Sequence, residues 1–353
     1  MSLFALLRPM LHALPPETVH NLGIWALRNH LLPAGRAVPD PILSQSLFGL
    51  TFPMPLGLAA GFDKNAAAVD ALLAQGFGFV EAGTVTPLPQ PGNAKPRIFR
   101  LSEDEAVINR LGFNNHGLSP FVANMAARKR EMGIVGANIG KNKDTVDAIS
   151  DYVKAMEAVA SYADYLTINI SSPNTQGLRA LQQRDALGEL LAALLALREK
   201  LGRHDKKRLP ILLKVAPDLT MQEKTDIAEQ VVAHKLDGMI VSNTTIMRPE
   251  TLKSTHTKEQ GGLSGKPLFA PSTAALADFY RLTQGKLPLI GVGGISSAAD
   301  AYAKIRAGAS LIQLYSALVY QGFALVRQIQ QELPVLLKRD GFSSVSDAIG
   351  VDT

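Results

Sequence analysis

Two hydrophobic periods alternate along the chain from residue 53 onward. Short unbroken apolar runs fall at Leu56–Ala60, Phe77–Ala82, Ile134–Ile139, Tyr165–Ile170, Ile211–Val215, Gly238–Val241, Leu287–Val292 and Ser310–Leu314. A run that is apolar on both faces predicts a strand buried on both sides, as in a parallel sheet. Between them lie amphipathic segments of helical period, among them Asp185–Leu201, Met221–His234, Ser272–Leu282 and Ala298–Ala307. Alternating strands and helices predict an α/β chain, and eight such units predict a closed (β/α)8 TIM barrel. An open doubly wound sheet is the alternative.

Residues 1–38 follow another pattern. Leu3, Phe4, Leu6, Leu7, Met10, Leu11 and Leu14 recur at helical spacing, and Pro15-Pro16 interrupts them. A second periodic segment begins at Glu17 and carries Val19, Leu22, Ile24, Trp25, Leu27, Leu31 and Leu32. Together they predict a short helical hairpin, residues 1–38, ahead of a main domain over 39–353. No apolar run here approaches the ~20 residues of a spanning helix. Two roles stay open. The hairpin is either a cap on the barrel, or a helix pair lying in a membrane interface with Arg8, Arg28 and Arg36 toward headgroups. Trp25, the only tryptophan, suits that interface.

The residues that follow the strands are polar or small. They include Asp63-Lys64-Asn65, Gly83-Thr84, Gly140-Lys141-Asn142, Ser171 to Thr175, Ala216-Pro217-Asp218, Ser242 to Thr245, Gly293-Gly294 and Tyr315-Ser316. In a barrel these all lie at the carboxyl end of the strands, where active sites are built. The stretch from Thr84 to Gly133 is too long for an ordinary connection. It reads as a small β-hairpin insertion plus a helix that frames the site.

Composition narrows the chemistry. The chain has no cysteine, which excludes disulfides, thiolate metal sites, iron–sulfur clusters and a cysteine base. The seven histidines show no paired ligand spacing, so no metal is expected. The net charge of +5 is modest. Lys206-Lys207-Arg208 reads as a solvated turn, and no dense basic stripe exists, so nucleic acid is not an expected partner.

Two features point to a flavin and a third to a pyrimidine-like substrate. Gly291-Val292-Gly293-Gly294-Ile295 ends the seventh run before a helix, where glycines let backbone N–H groups approach a phosphate such as that of FMN. Lys214 interrupts an apolar strand; aimed at the barrel mouth it favours the negative charge of a reduced flavin. Asn109, Asn169, Asn174 and Asn243 supply donors and acceptors that suit the amide pattern of a pyrimidine ring. Another FMN barrel oxidoreductase and a flavin-free phosphate-binding lyase or isomerase remain rivals at this level. Ser172 has no partner histidine nearby and no nucleophile-elbow pattern, which argues against acyl transfer.

Motifs in order along most of the chain resemble the quinone-linked (class 2) dihydroorotate dehydrogenases. They are Ala60 to Asn65, Glu81 to Pro87, Asn109 to Asn115, Asn138 to Asn142, Asn169 to Thr175, Gly262 to Gly265 and Gly291 to Ile295. The resemblance implies FMN as cofactor and oxidation of dihydroorotate to orotate in pyrimidine synthesis. It implies that Ala60, Gly61, Phe62, Asp63, Lys64, Thr84, Asn138, Asn169, Lys214, Ser242, Gly265, Gly294, Tyr315 and Ser316 hold FMN. Substrate would meet Lys64, Asn109, Arg110, Leu111, Gly112, Phe113, Asn169, Asn174, Asn243 and Thr244. Ser172 stands where the cytosolic class uses cysteine, and would be the base, with Thr175 and a water beside Phe113 as candidate relays. The hairpin would guide quinone from the membrane, which implies a peripheral protein on the cytoplasmic face of the cell membrane.

Overall fold

The hydrophobic periods become elements in the expected order. The computed structural model of the chain describes residues 3–35, 40–205 and 208–353. Arg36, the expected boundary at 38/39 and Lys206-Lys207 therefore lie outside the described residues. The chain opens with helices α1 (Leu3–Ala13) and α2 (Pro16–Arg28). A hairpin follows, β1 (Gln45–Leu47) and β2 (Leu50–Phe52), then β3 (Leu56–Leu58), α3 (Val69–Leu73) and β4 (Phe79–Val85). The insertion comprises β5 (Ile98–Leu101), β6 (Ala106–Asn109) and α4 (Leu118–Ala127). Then come β7 (Ile134–Ile139), α5 (Ala148–Val159), β8 (Tyr165–Asn169) and α6 (Arg184–Asp205). They are followed by β9 (Ile211–Val215), α7 (Met221–Ala233), β10 (Gly238–Val241) and β11 (Gly262–Gly265). The remainder is α8 (Phe269–Leu282), β12 (Leu289–Val292), α9 (Ala298–Arg306), β13 (Ala309–Leu314), α10 (Ala317–Gln321) and α11 (Ala324–Arg339).

Strands β3, β4, β7, β8, β9, β10, β12 and β13 pair in parallel, and β13 returns to β3 to close the barrel. This is the (β/α)8 barrel that the alternating periods predict, and the open sheet is excluded by that closing pair. Most expected strand bounds hold to within one to three residues, with β7, β9 and β10 beginning and ending where the apolar runs do. The insertion also forms as expected, with one addition: β11, from after the sixth barrel strand, joins β6 and β5 in a three-stranded antiparallel sheet.

The hairpin β1–β2 is not legible in the runs, because two three-residue strands, QSL and LTF, carry too few alternations to read. It plugs the amino end of the barrel. Phe52 stacks edge-on against Phe79 at 5.3 Å, and Phe79 against Tyr165 at 6.3 Å. Glycine makes this possible: a Cβ on Gly57 would enter the Phe79 ring, and one on Gly136 the Tyr165 ring. The floor is thus aromatic and closed, and the polar residues gather at the carboxyl end. There β11 and β6 rise beside the mouth, and α1 and α2 lean over it, tied to the same sheet through Arg97 and Arg100. The capping box of Thr220 and Glu223 starts α7, and Ser297 caps α9.

Candidate active site

A cavity of about 760 Å³ opens from the carboxyl end of the barrel and runs out beneath α1 and α2. That volume lies in the ~300–1,000 Å³ range of small-molecule and cofactor sites. Every residue expected at a cofactor or substrate site lines it, Ser172 included, with three exceptions: Asp63, Arg110 and Asn138.

The exceptions sit one layer back. Asp63 is buried, and its carboxylate accepts the N–H groups of Ala67 at 2.9 Å and Ala68 at 2.7 Å. Burial raises its pKa, and those hydrogen bonds oppose the rise. It braces the loop whose Gly61 N–H donates to the Gly83 carbonyl. Asn138 lies between strand ends: its Oδ1 accepts from Thr84 Oγ1 at 2.5 Å and from Asn169 Nδ2 at 3.2 Å. Arg110 points away from the cavity, pairs with Glu259 at 2.7 Å and sits 4.6 Å over the Phe99 ring.

Behind this layer is a buried acid from the Glu81 to Pro87 motif. Glu81, on β4, is fully buried. Its carboxylate accepts from Asn138 Nδ2 at 2.8 Å, Gln313 Nε2 at 3.0 Å, and Tyr165 OH and Thr167 Oγ1 at 3.2 Å each. Lys214 Nζ lies 3.9 Å away. Burial lowers the Lys214 pKa, and the Glu81 charge opposes that fall. Lys214 makes no hydrogen bond among the described residues, so its N–H groups are left for whatever enters the cavity. The signal that could have found Glu81 is the one that singles out Lys214, a charge inside an otherwise apolar strand.

Lys64 donates to the Gly61 carbonyl at 2.7 Å. Its burial pushes the pKa down to about 8, against the pull of Asp63 and Glu17. Asparagines converge on the opposite wall. Asn174 Nδ2 donates to the Asn109 carbonyl at 3.1 Å. Asn243 Nδ2 donates to Ser171 Oγ at 3.0 Å, and its Oδ1 accepts the Thr244 N–H at 2.8 Å. Ser172, only 6% exposed, accepts the Asn174 N–H at 3.3 Å. Thr175 Oγ1 nearby in sequence is buried without a hydrogen-bond partner among the described residues.

The cradle at the last strands is built from backbone. Gly293 and Gly294 have φ of +116° and +75°, which side chains rarely adopt. The N–H groups of Gly294 and Ile295 donate to no acceptor among the described residues. A Cβ on Gly61 would meet nothing nearer than the cavity-lining Tyr315 ring at 3.6 Å, so it would project into the cavity. Ser316 Oγ donates to Ser264 Oγ at 2.7 Å and fixes β11 to the same rim.

The outer half of the cavity is apolar. Phe4, Leu7, Leu11, Val19 and Leu22 come from α1 and α2, and Phe62, Leu318 and Phe323 face them. His20 lies edge-on to Phe62 at 5.2 Å, and burial with the nearby Lys64 charge holds its pKa down at about 3, so it is neutral. Polar ties fasten the hairpin. Arg97 forks onto Glu17 at 2.7 and 3.1 Å, Arg100 donates to the Leu11 carbonyl at 3.3 Å, and Arg8 to that of Tyr320 at 3.1 Å.

The family described as dihydroorotate dehydrogenase matches residues 42–337. A dihydroorotate dehydrogenase (quinone) of Parvibaculum lavamentivorans is 56% identical over 353 residues, covering 100% of this chain and 99% of that protein. One of Azorhizobium caulinodans is 54% identical over 354 residues, with the same coverage. A crystal structure of DHODH in complex with ferulenol from Eimeria tenella superposes with a TM-score of 0.92 at 46% identity, covering 96% of this chain and 95% of that one. With the barrel, the carboxyl-end cavity and the full-length identity in agreement, this chain belongs to the dihydroorotate dehydrogenase family.

Proposed function

We propose that the chain oxidises dihydroorotate to orotate with FMN as its cofactor and passes the electrons to a membrane quinone. The observation that carries this is one cavity that unites a glycine cradle, Lys214, an asparagine set and Ser172, with an apolar outlet. The relatives named above as quinone-dependent support the acceptor. The family is flavin-dependent, and the residues present fit FMN. Unpaired N–H groups at Gly294 and Ile295 suit a phosphate, and the absent side chain at Gly61 leaves room beside Tyr315.

When bound, the flavin supplies the acceptor for the hydride that leaves C6 of the substrate. The residues of the chain do the rest. Lys214 offers its free N–H groups where negative charge develops on the cofactor. Lys64 and the asparagines orient the substrate ring and its carboxylate. Ser172 Oγ takes the proton from C5, so that C5 loses a proton, C6 a hydride, and a double bond joins them. A serine hydroxyl is a poor base and must pass a proton on. Thr175 Oγ1, buried and unpartnered, is the candidate next group, with a water beside Phe113.

In this reading residues 1–38 form a quinone-channel and membrane-associating extension, and 39–353 the catalytic barrel. Its support is the exposed apolar face of the hairpin: Leu6, Met10, Trp25 and Leu31 are more than half exposed. No helix among the described residues is long and apolar enough to cross a membrane. Peripheral binding at the cytoplasmic face therefore rests on that face and on Arg8 and exposed Arg28 beside it. The test is the visible spectrum of the purified protein with dihydroorotate under anaerobic conditions. A yellow protein that bleaches, and then recolours with a soluble quinone, is the expected result. A yellow protein that stays yellow sinks the substrate, and a colourless one that FMN cannot restore sinks the cofactor.

A further inference from the structure

We propose that Lys304, buried behind the Gly293-Gly294 loop, is a countercharge for the cofactor phosphate and sets the preference for a phosphorylated flavin. The proposal rests on the FMN reading above. Lys304 is on α9, has no exposed surface, and has no ion pair with a carboxylate among the described residues. Its ammonium donates to Ser272 Oγ at 2.6 Å and lies 5.3 Å from the centre of the Phe269 ring. Ser272 is equally buried, on α8, and its hydroxyl reaches the Gly293 carbonyl at 3.2 Å. A buried cation without an acid partner is costly, and nothing in the chemistry at C5 and C6 of the substrate uses it.

The loop explains what it faces. In a trans peptide the C=O and N–H point opposite ways. The Gly293 carbonyl turns toward Ser272 and Lys304, so the Gly294 N–H of that same peptide turns away from them. Gly294 lines the cavity, and its N–H and that of Ile295 are unused. A cation on the carbonyl side polarises the peptide and strengthens the N–H donor on the other. The loop lies close against α8: a Cβ at Gly294 would lie 2.5 Å from Phe269 N and Cα, and one at Gly293 2.7 Å from Ser272 Oγ. The single hydroxyl hydrogen of Ser272 is also within reach of the Leu268 carbonyl at 2.6 Å and the Phe269 carbonyl at 3.1 Å. The field of the ammonium does not depend on which of the three accepts it. Burial pushes the Lys304 pKa down to about 7, with Asp300 opposing, as befits a cation whose partner arrives with the ligand.

The experiment compares FMN with riboflavin, which lacks only the phosphate. Flavin is removed from the full chain, and both flavins are titrated into wild type, Lys304→Met, Lys304→Arg and Ser272→Ala, followed by flavin fluorescence. Lys304→Met should lose roughly 10- to 100-fold in FMN affinity and leave riboflavin affinity unchanged. Its apoprotein should melt no lower than wild type, because an unpaired buried charge is gone. Lys304→Arg should keep most of the preference for FMN. Equal loss for both flavins, or no loss for either, overturns the proposal. If Lys304→Met does not fold, Ser272→Ala decides: a reduced FMN preference supports the link, and a wild-type preference overturns it. A wild-type apoprotein that does not prefer FMN over riboflavin refutes the FMN reading itself, a separate outcome.

Discussion

The inner and outer ends of the cavity are held together by opposite means. At the inner end, strand termini carry side chains that bond to each other: Thr84, Asn138 and Asn169 in one cluster, with Glu81 and Lys214 beneath. Positions there are over-determined, as proton and hydride transfer require. At the outer end, two helices offer apolar side chains and are tied down by a few arginines, with Leu6, Met10 and Trp25 left in solvent. Such a surface suits an apolar molecule such as the quinone proposed above. The difference teaches that one cavity can serve a polar substrate and an apolar acceptor because each end is built from a different part of the chain.

Five experiments would break or sharpen this contrast. The largest effect is expected from Ser172→Ala, which should slow anaerobic flavin reduction by dihydroorotate about 10²–10⁴-fold with the flavin still bound. Near-normal rates in stopped-flow would remove Ser172 from the role of base. Next, Glu81→Gln should destabilise the protein by about 3–5 kcal/mol in chemical denaturation, since it leaves Lys214 buried without its counter-ion. Adding Lys214→Met should recover part of that loss; if it does not, the two charges are not coupled.

Changes at the outer end should be smaller and of another kind. Deleting residues 1–35 should lower quinone reduction about tenfold while leaving flavin reduction within about threefold. Equal losses would argue against a separate quinone route. Trp25 is the only tryptophan, so its emission reports the hairpin alone. It should shift to the blue with anionic vesicles, and Leu6→Ser with Met10→Ser should weaken vesicle binding about tenfold. An unchanged spectrum would discard the interfacial role.

The smallest effect concerns pH. The Arg97 guanidinium, hydrogen-bonded to Glu17, holds that carboxyl below its usual value of 4.5 against the opposing cost of burial. A lowered carboxylate pKa contributes stability above the unfolded value, and that contribution fades as pH falls through the folded one. The hairpin should therefore loosen below about pH 4.5 by roughly 1 kcal/mol. Hydrogen exchange of α2 against that of β8 across this range measures it, and Glu17→Gln should abolish the difference.

Much of the inner end was legible because the barrel makes it so. Parallel strands with a strict apolar period expose their carboxyl ends on one face, so Lys214, Asn169 and Ser242 could be assigned to one site from position alone. Arg110, Asp63 and Asn138 look the same in sequence, yet they turn to Glu259, to a loop brace and to the layer behind Thr84. Residue type and strand position do not say which way a side chain at a rim faces. The hairpin β1–β2 was hidden because three-residue strands carry too little period to read.

By itself the sequence determined the alternation of strand and helix, hence the barrel and the face on which chemistry is done. It also determined what the site lacks, since no cysteine can serve as base or ligand. Only the tertiary structure decided which charges meet. Glu81 and Lys214 are 133 residues apart and joined by the closing of the barrel, whereas Lys304 forms no ion pair among the described residues. The period of a strand depends on neighbours along the chain, but the partner of a buried charge depends on what the fold brings beside it, and no local pattern encodes that.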